Sequence, residues 1–157
     1  MGTLADADAL TSITATGSYA AITTGAIGAT GTAEVLSTVT VSASYDSLVA
    51  IGAITADTTN SGTENDLTIT ATTDDYASSA IDLAAGGAIT NTQGTITLTA
   101  SGGGEVSTGD LTAVDVTVTS SAGAATDTNT IDDIIASDDV VITTSGAGIR
   151  VITALTA

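Results

Sequence analysis

Apolar residues alternate with Thr, Ser and Asp at period two through much of the chain. Successive side chains of a strand point to opposite faces, so this alternation predicts half-buried strands. The clearest are expected over 37–43 (STVTVSA), 66–72 (DLTITAT), 94–101 (GTITLTAS), 115–121 (DVTVTSS) and 139–145 (DVVITTS). Thr, Val and Ile dominate them. These β-branched side chains are stiff at χ1 and pack well on a pleated surface. Helical periodicity is weak throughout.

The segments resemble one another, and each follows a short apolar run led by Gly or Asp. Units can be written from residues 25 (GAIGATG), 52 (GAITADTT), 87 (GAITNTQG), 110 (DLTAVDV) and 133 (DIIASDD), with spacings of 27, 35, 23 and 23 residues. The two longer spacings fit the same unit with insertions, chiefly at 58–64 and 73–79. Residues 1–24 read as a degenerate N-terminal coil or a cap, and 25–157 as the repeats. A unit of about 23 residues holding two or three short strands predicts one coil of a stack. The expected fold is therefore all-β, a right-handed parallel β-helix (β-solenoid) of about five or six coils. The alternative is an antiparallel β-sandwich, as in a filament subunit.

Aligning the units gives two inward ladders. One is Val39, Leu67, Ile96, Val116 and Val140; the other is Val41, Ile69, Leu98, Val118 and Ile142. Between them lie the outward residues Thr40, Thr68, Thr97, Thr117 and Val141, then Ser42, Thr70, Thr99, Thr119 and Thr143.

Composition narrows the picture. Among 157 residues there are 34 Thr and 17 Gly, three Tyr, and no Phe, Trp, Pro, Cys or His. Apolar residues still make up 43 %, which argues for an ordered but thin aliphatic core rather than disorder. A narrow coil has little room for rings, so the missing aromatics suit the solenoid better than the sandwich. Eighteen acids face one base, Arg150, for a net charge of −17. That balance speaks against nucleic-acid binding and against anionic membrane surfaces. No apolar run is long enough for a spanning helix, so membrane insertion is not expected. The opening Met1–Asp6 lacks the basic and apolar regions of a signal peptide. Export is expected by another route, or as part of something longer.

The stretch from Gly94 to Gly123 (GTITLTASGGGEVSTGDLTAVDVTVTSSAG) resembles the coils of filamentous-haemagglutinin-type adhesins and other very large bacterial surface proteins. The Thr/Ala/Gly/Asp usage over about 25–157 is similar to that of β-helical bacterial surface-layer (S-layer) proteins. The resemblance implies an extracellular or cell-surface location and a non-enzymatic structural or adhesive role.

Three kinds of chemistry remain to be weighed. The outward array of Thr40, Thr68, Thr70, Thr97, Thr99, Thr117, Thr119 and Thr143 would repeat at about 4.8 Å between coils and about 7 Å along each strand. It resembles the ice-binding face of β-solenoid antifreeze proteins. Thr ladders are also good neighbours on any solvent-facing sheet. The acids Asp74, Asp75, Asp127, Asp132, Asp133, Asp138 and Asp139, with Asn129, offer the oxygens that Ca²⁺ takes, which suggests a Ca²⁺-dependent S-layer or matrix subunit as a further alternative. Asp also ends strands and makes turns, and divalent ions screen any strongly acidic chain. No other cofactor is expected. An enzyme is not expected either: there is no His or Cys, and only Tyr19, Tyr45 and Tyr76 could serve as sugar platforms. Finally, no Pro blunts a strand edge, and the last residues (IRVITALTA) read as a bare strand. The expected partner is a second copy, in a head-to-tail oligomer or fibre.

Overall fold

The computed structural model describes residues 12–18, 22–23, 25–27, 36–44, 49–50, 52–56, 66–73, 81–82, 88–103, 107–122, 128–145, 148–150 and 154–157. In chain order the strands are β1 (Ser12–Ser18), β2 (Ile22–Thr23), β3 (Thr38–Ser44), β4 (Val49–Ala50), β5 (Ile54–Thr55) and β6 (Leu67–Thr73). Then come β7 (Ile81–Asp82), β8 (Ile89–Asn91), β9 (Ile96–Gly103), β10 (Ser107–Thr108), β11 (Leu111–Ala113) and β12 (Val116–Ala122). The last are β13 (Thr128–Ile131), β14 (Asp133–Ala136), β15 (Val140–Ser145), β16 (Gly148–Arg150) and β17 (Ala154–Thr156). Among the described residues there is no helix.

Every described strand pairing is parallel, which removes the antiparallel sandwich. One sheet has the order β1-β3-β6-β9-β12-β15, and a second β17-β14-β11-β8-β5, extended by a bridge from Ile27 to Ile54. Two smaller sheets, β2-β4-β7 and β10-β13-β16, hold the remaining strands, and β7 lies beside β10. The chain therefore visits the sheets in a fixed cycle, long strand, short strand, short strand, six times over. This recurrence is β-helix-like, and one pass through the cycle is called a rung below. Residues 12–23, within the segment expected to be a degenerate coil or cap, supply β1 and β2.

The core is a set of stacked aliphatics facing inward from the two large sheets. In the long sheet Leu67, Ile96 and Val116 stack in register, ending on Val140. The next inward column is Ile13, Val39, Ile69, Leu98, Val118 and Ile142. In the facing sheet Ile27, Ile54, Ile89, Leu111, Ile134 and Leu155 form a third. This third column runs through the Gly- or Asp-led segments that begin the sequence units. Inner members such as Leu67, Ile69, Ile89, Leu98 and Leu111 are wholly buried. Each contributes about 1.5–3 kcal/mol by leaving water.

The register of β3 corrects the sequence alignment. Val39 lies beside Ile69, not Leu67, and Val41 beside Ala71, not Ile69. A slip of two residues keeps every side chain on its own face, so the alternation is the same in both registers. The observed one stacks Val39 between Ile13 and Ile69, all three buried, and brings Leu36 fully into the core. The expected strands also begin slightly early: Asp66, Asp115 and Asp139 each sit just ahead of a strand. Rungs approach closely at Gly52, where a Cβ would lie 2.7 Å from both the carbonyl carbon and the oxygen of Gly25. Only glycine leaves room for that contact.

Candidate functional site: the threonine face and the acidic corners

The outward face of the long sheet carries two threonine columns. The first reads Ser12, Thr38, Thr68, Thr97, Thr117, Val141. The second reads Thr14, Thr40, Thr70, Thr99, Thr119, Thr143, one Thr from each of six neighbouring strands. The corrected register of β3 moves Thr40 from the side of Thr68 to that of Thr70, and Thr38 takes its place. Strand β1 adds a member to each column beyond those the sequence suggested, Ser12 to the first and Thr14 to the second. Inner members are half-buried by the strands on either side, while Thr14 and Thr143, on the two edge strands, are exposed. None of the six strands contains a charged residue. In-register parallel pairing is what sets like beside like here.

A threonine column is not confined to this face. The second large sheet aligns Thr55, Thr90, Thr112, Ile135 and Thr156 on its outer side. Its strands are short, so the column stands alone, and Ile135 interrupts it. The paired threonine columns belong to the long sheet, whose strands run six to eight residues; in the second sheet β14 also has two outward positions, but they are Asp133 and Ile135.

The acids sit at the corners. The Thr95 backbone N–H donates to Asp66 Oδ1 at 3.0 Å, and the Asp139 N–H to Asp115 Oδ1 at 3.0 Å. Thr95 Oγ1 donates to Asp115 Oδ2 at 3.4 Å. All four residues immediately precede a strand of the long sheet. At the corner before the second sheet, the Asp133 N–H donates to Asp110 Oδ1 at 3.4 Å. Each bond links one rung to the next, alongside backbone bonds such as Ile96 N–H to Asp115 O at 2.9 Å and Val116 N–H to Asp139 O at 2.9 Å. A corner breaks the regular ladder and leaves an N–H to be satisfied, and a carboxylate one rung away accepts it. Asp110 and Asp115 were not singled out by the sequence. The available signal was an Asp directly before the first inward aliphatic of a strand.

These bonds bear on the acids expected to bind Ca²⁺. Asp132 and Asp133 flank the start of β14, and Asp138 and Asp139 precede β15, so the two pairs occupy different corners. Asp132, Asp138 and Asp139 are exposed and Asp133 is half-buried. Asn129 lies in β13, paired with Ile149. Asp74, Asp75 and Asp127 lie outside the described residues. Among the described residues, no three carboxylates gather into a metal-binding group.

The interior also holds small polar residues. Asn91 is fully buried at the end of β8, and its Nδ2 donates to Thr95 O at 3.2 Å, closing the turn into β9. Ser120 and Thr108 are buried as well. Arg150, the single base, ends β16 opposite Thr130. Among the described residues no helix is long and apolar enough to cross a membrane.

Comparison with protein-family models, curated proteins and solved structures gives no match.

Proposed function

We propose that the chain is a right-handed parallel β-solenoid of six rungs that serves as a non-enzymatic structural or adhesive element outside the cell and associates with copies of itself. The observation that carries this reading is the sixfold cycle of the chain through the same sheets, with continuous aliphatic columns between them. Such a stack gives reach and a regular surface at the expense of a cleft. Its corner carboxylates are engaged in holding rung to rung, not gathered around a reacting centre. The likeness of residues 94–123 to bacterial surface-protein coils supports the location, and the net charge of −17 suits a solvated exterior element.

Negative-stain electron microscopy tests the reading. Six rungs at about 4.8 Å predict a stubby rod roughly 30 Å long per copy, unchanged by EDTA. A sphere without a long axis, or a molecule that opens when chelated, would overturn it.

A second reading is favoured by the corrected register. Two uncharged columns of Thr side by side, one of them unbroken over six strands, form a flat array of alternating methyls and hydroxyls. Such an array suits contact with an ordered water lattice, and ice is the ligand it would hold.

A further inference from the structure

We propose that a third hydroxyl column widens the threonine face over the first four strands of the long sheet, and that this four-strand part is where ice is held. The inference rests on the ice reading above and adds to it the extent and the place of the binding surface.

The register carries it. Two residues beyond the second threonine column, Thr16 of β1 lies beside Ser42 of β3, Ser42 beside Thr72 of β6, and Thr72 beside Ser101 of β9. In these four strands every position of the three columns is Thr or Ser. Past β9 the array loses its regularity. The pairing of β9 with β12 shifts between Ser120 and Ala122, so Ser121 is out of register with Ser101, although it still pairs with Ser145 of β15. Such a bulge bends its strand and increases the local twist. In β15 the first column ends on Val141, which is 51 % exposed. The regular lattice therefore has three columns and four strands. At about 4.8 Å between strands and about 7 Å between alternate residues, it covers about 14 Å in each direction. Two columns alone form a strip about 7 Å wide.

The chemistry of the patch selects its occupant. None of the chain's 18 acids and neither Lys nor Arg lies in β1, β3, β6 or β9, although the net charge is −17. A charged ligand finds no counter-charge there, and no ionic group has to be stripped of its water when a solid settles on the face. These strands carry no aromatic ring to serve as a sugar platform. Thr40, Ser42, Thr70, Thr99 and Ser101 are half-buried between their neighbours, and Thr is stiff at χ1, so the hydroxyls stand at fixed positions instead of forming a mobile fringe. An uncharged solid that repeats in two directions is what such a surface matches. A patch as wide as it is long meets that solid in both directions, where a strip meets it in one.

The test uses the intact chain with ice as the probe. Thermal hysteresis and crystal shaping at millimolar protein are compared for the parent and three variants, each checked for an unchanged circular dichroism spectrum and Tm. Ser42→Tyr sets a ring on the third column inside the patch and should remove most of the hysteresis. Thr16→Tyr, at an exposed position of the same column, should do the same, and it stands in if Ser42→Tyr does not fold. Ser145→Tyr sets the same ring on the strand past the bulge and should keep most of the parent's hysteresis. A face only two columns wide gives little loss in any of the three, and a three-column face over all six strands gives loss in all of them. Either result overturns the proposal and leaves ice binding standing. A parent with no hysteresis and no ice shaping overturns the ice reading, and the proposal with it.

Discussion

A carboxylate placed just ahead of a strand does two jobs in this chain. Asp115 turns the backbone at the corner, and its two oxygens accept from the rungs on either side, the Asp139 N–H at 3.0 Å and Thr95 Oγ1 at 3.4 Å. Removing the acceptor leaves a backbone N–H to water at a corner and loosens the seam between three rungs. Asp115→Ala is therefore expected to cost about 1–2 kcal/mol, while Asp115→Asn, which keeps an oxygen in place, loses less. Urea unfolding of the two variants beside the parent measures this. Equal stability of all three would mean that the corner bonds contribute nothing beyond what water supplies. Thr95 shows the same position filled by a hydroxyl: its N–H and its side chain both donate to acids of neighbouring rungs.

Among the elements, the long strands set the character of the molecule. They carry two threonine columns side by side, while the two- to four-residue strands of the second large sheet carry one. If the doubled threonine columns hold ice, their flatness matters more than any single hydroxyl. Thr99→Tyr, at the centre of the face, then raises a bulky ring above the plane without touching the core. The parent is expected to show thermal hysteresis and faceted ice crystals at millimolar concentration, and Thr99→Tyr to lose most of both. A parent that shapes no ice leaves the columns as ordinary cross-strand partners. The interrupted column Thr55, Thr90, Thr112, Ile135 and Thr156 shows that stacked Thr also arises where no doubled face exists.

At the level of the whole molecule, charge opposes compactness. A net charge of −17 on a chain this small repels itself at low ionic strength, and counterions relieve this by screening. The described acids do not cluster into a metal group. Melting followed by circular dichroism should therefore give a Tm that rises with NaCl. CaCl₂ and MgCl₂ at equal concentration should raise it by equal amounts. A rise with Ca²⁺ that Mg²⁺ does not match would reveal a built Ca²⁺ site and favour the S-layer alternative.

Alternation of Thr with Val, Ile and Leu was enough to determine which residues face the core, since a strand has no other period, and the Gly- or Asp-led units were enough to indicate a stack. It did not determine how β3 sits on β6, because a slip of two residues leaves every face unchanged and only the packing of Val39 between Ile13 and Ile69, with Leu36 behind, selects one register. Nor did it connect Asp66 to Thr95 or Asp115 to Asp139, partners 29 and 24 residues apart that meet only once the rungs are stacked. Nor did it tell Ile13 from Leu155: both are aliphatic residues in strands, and only the tertiary packing leaves one buried and the other 55 % exposed.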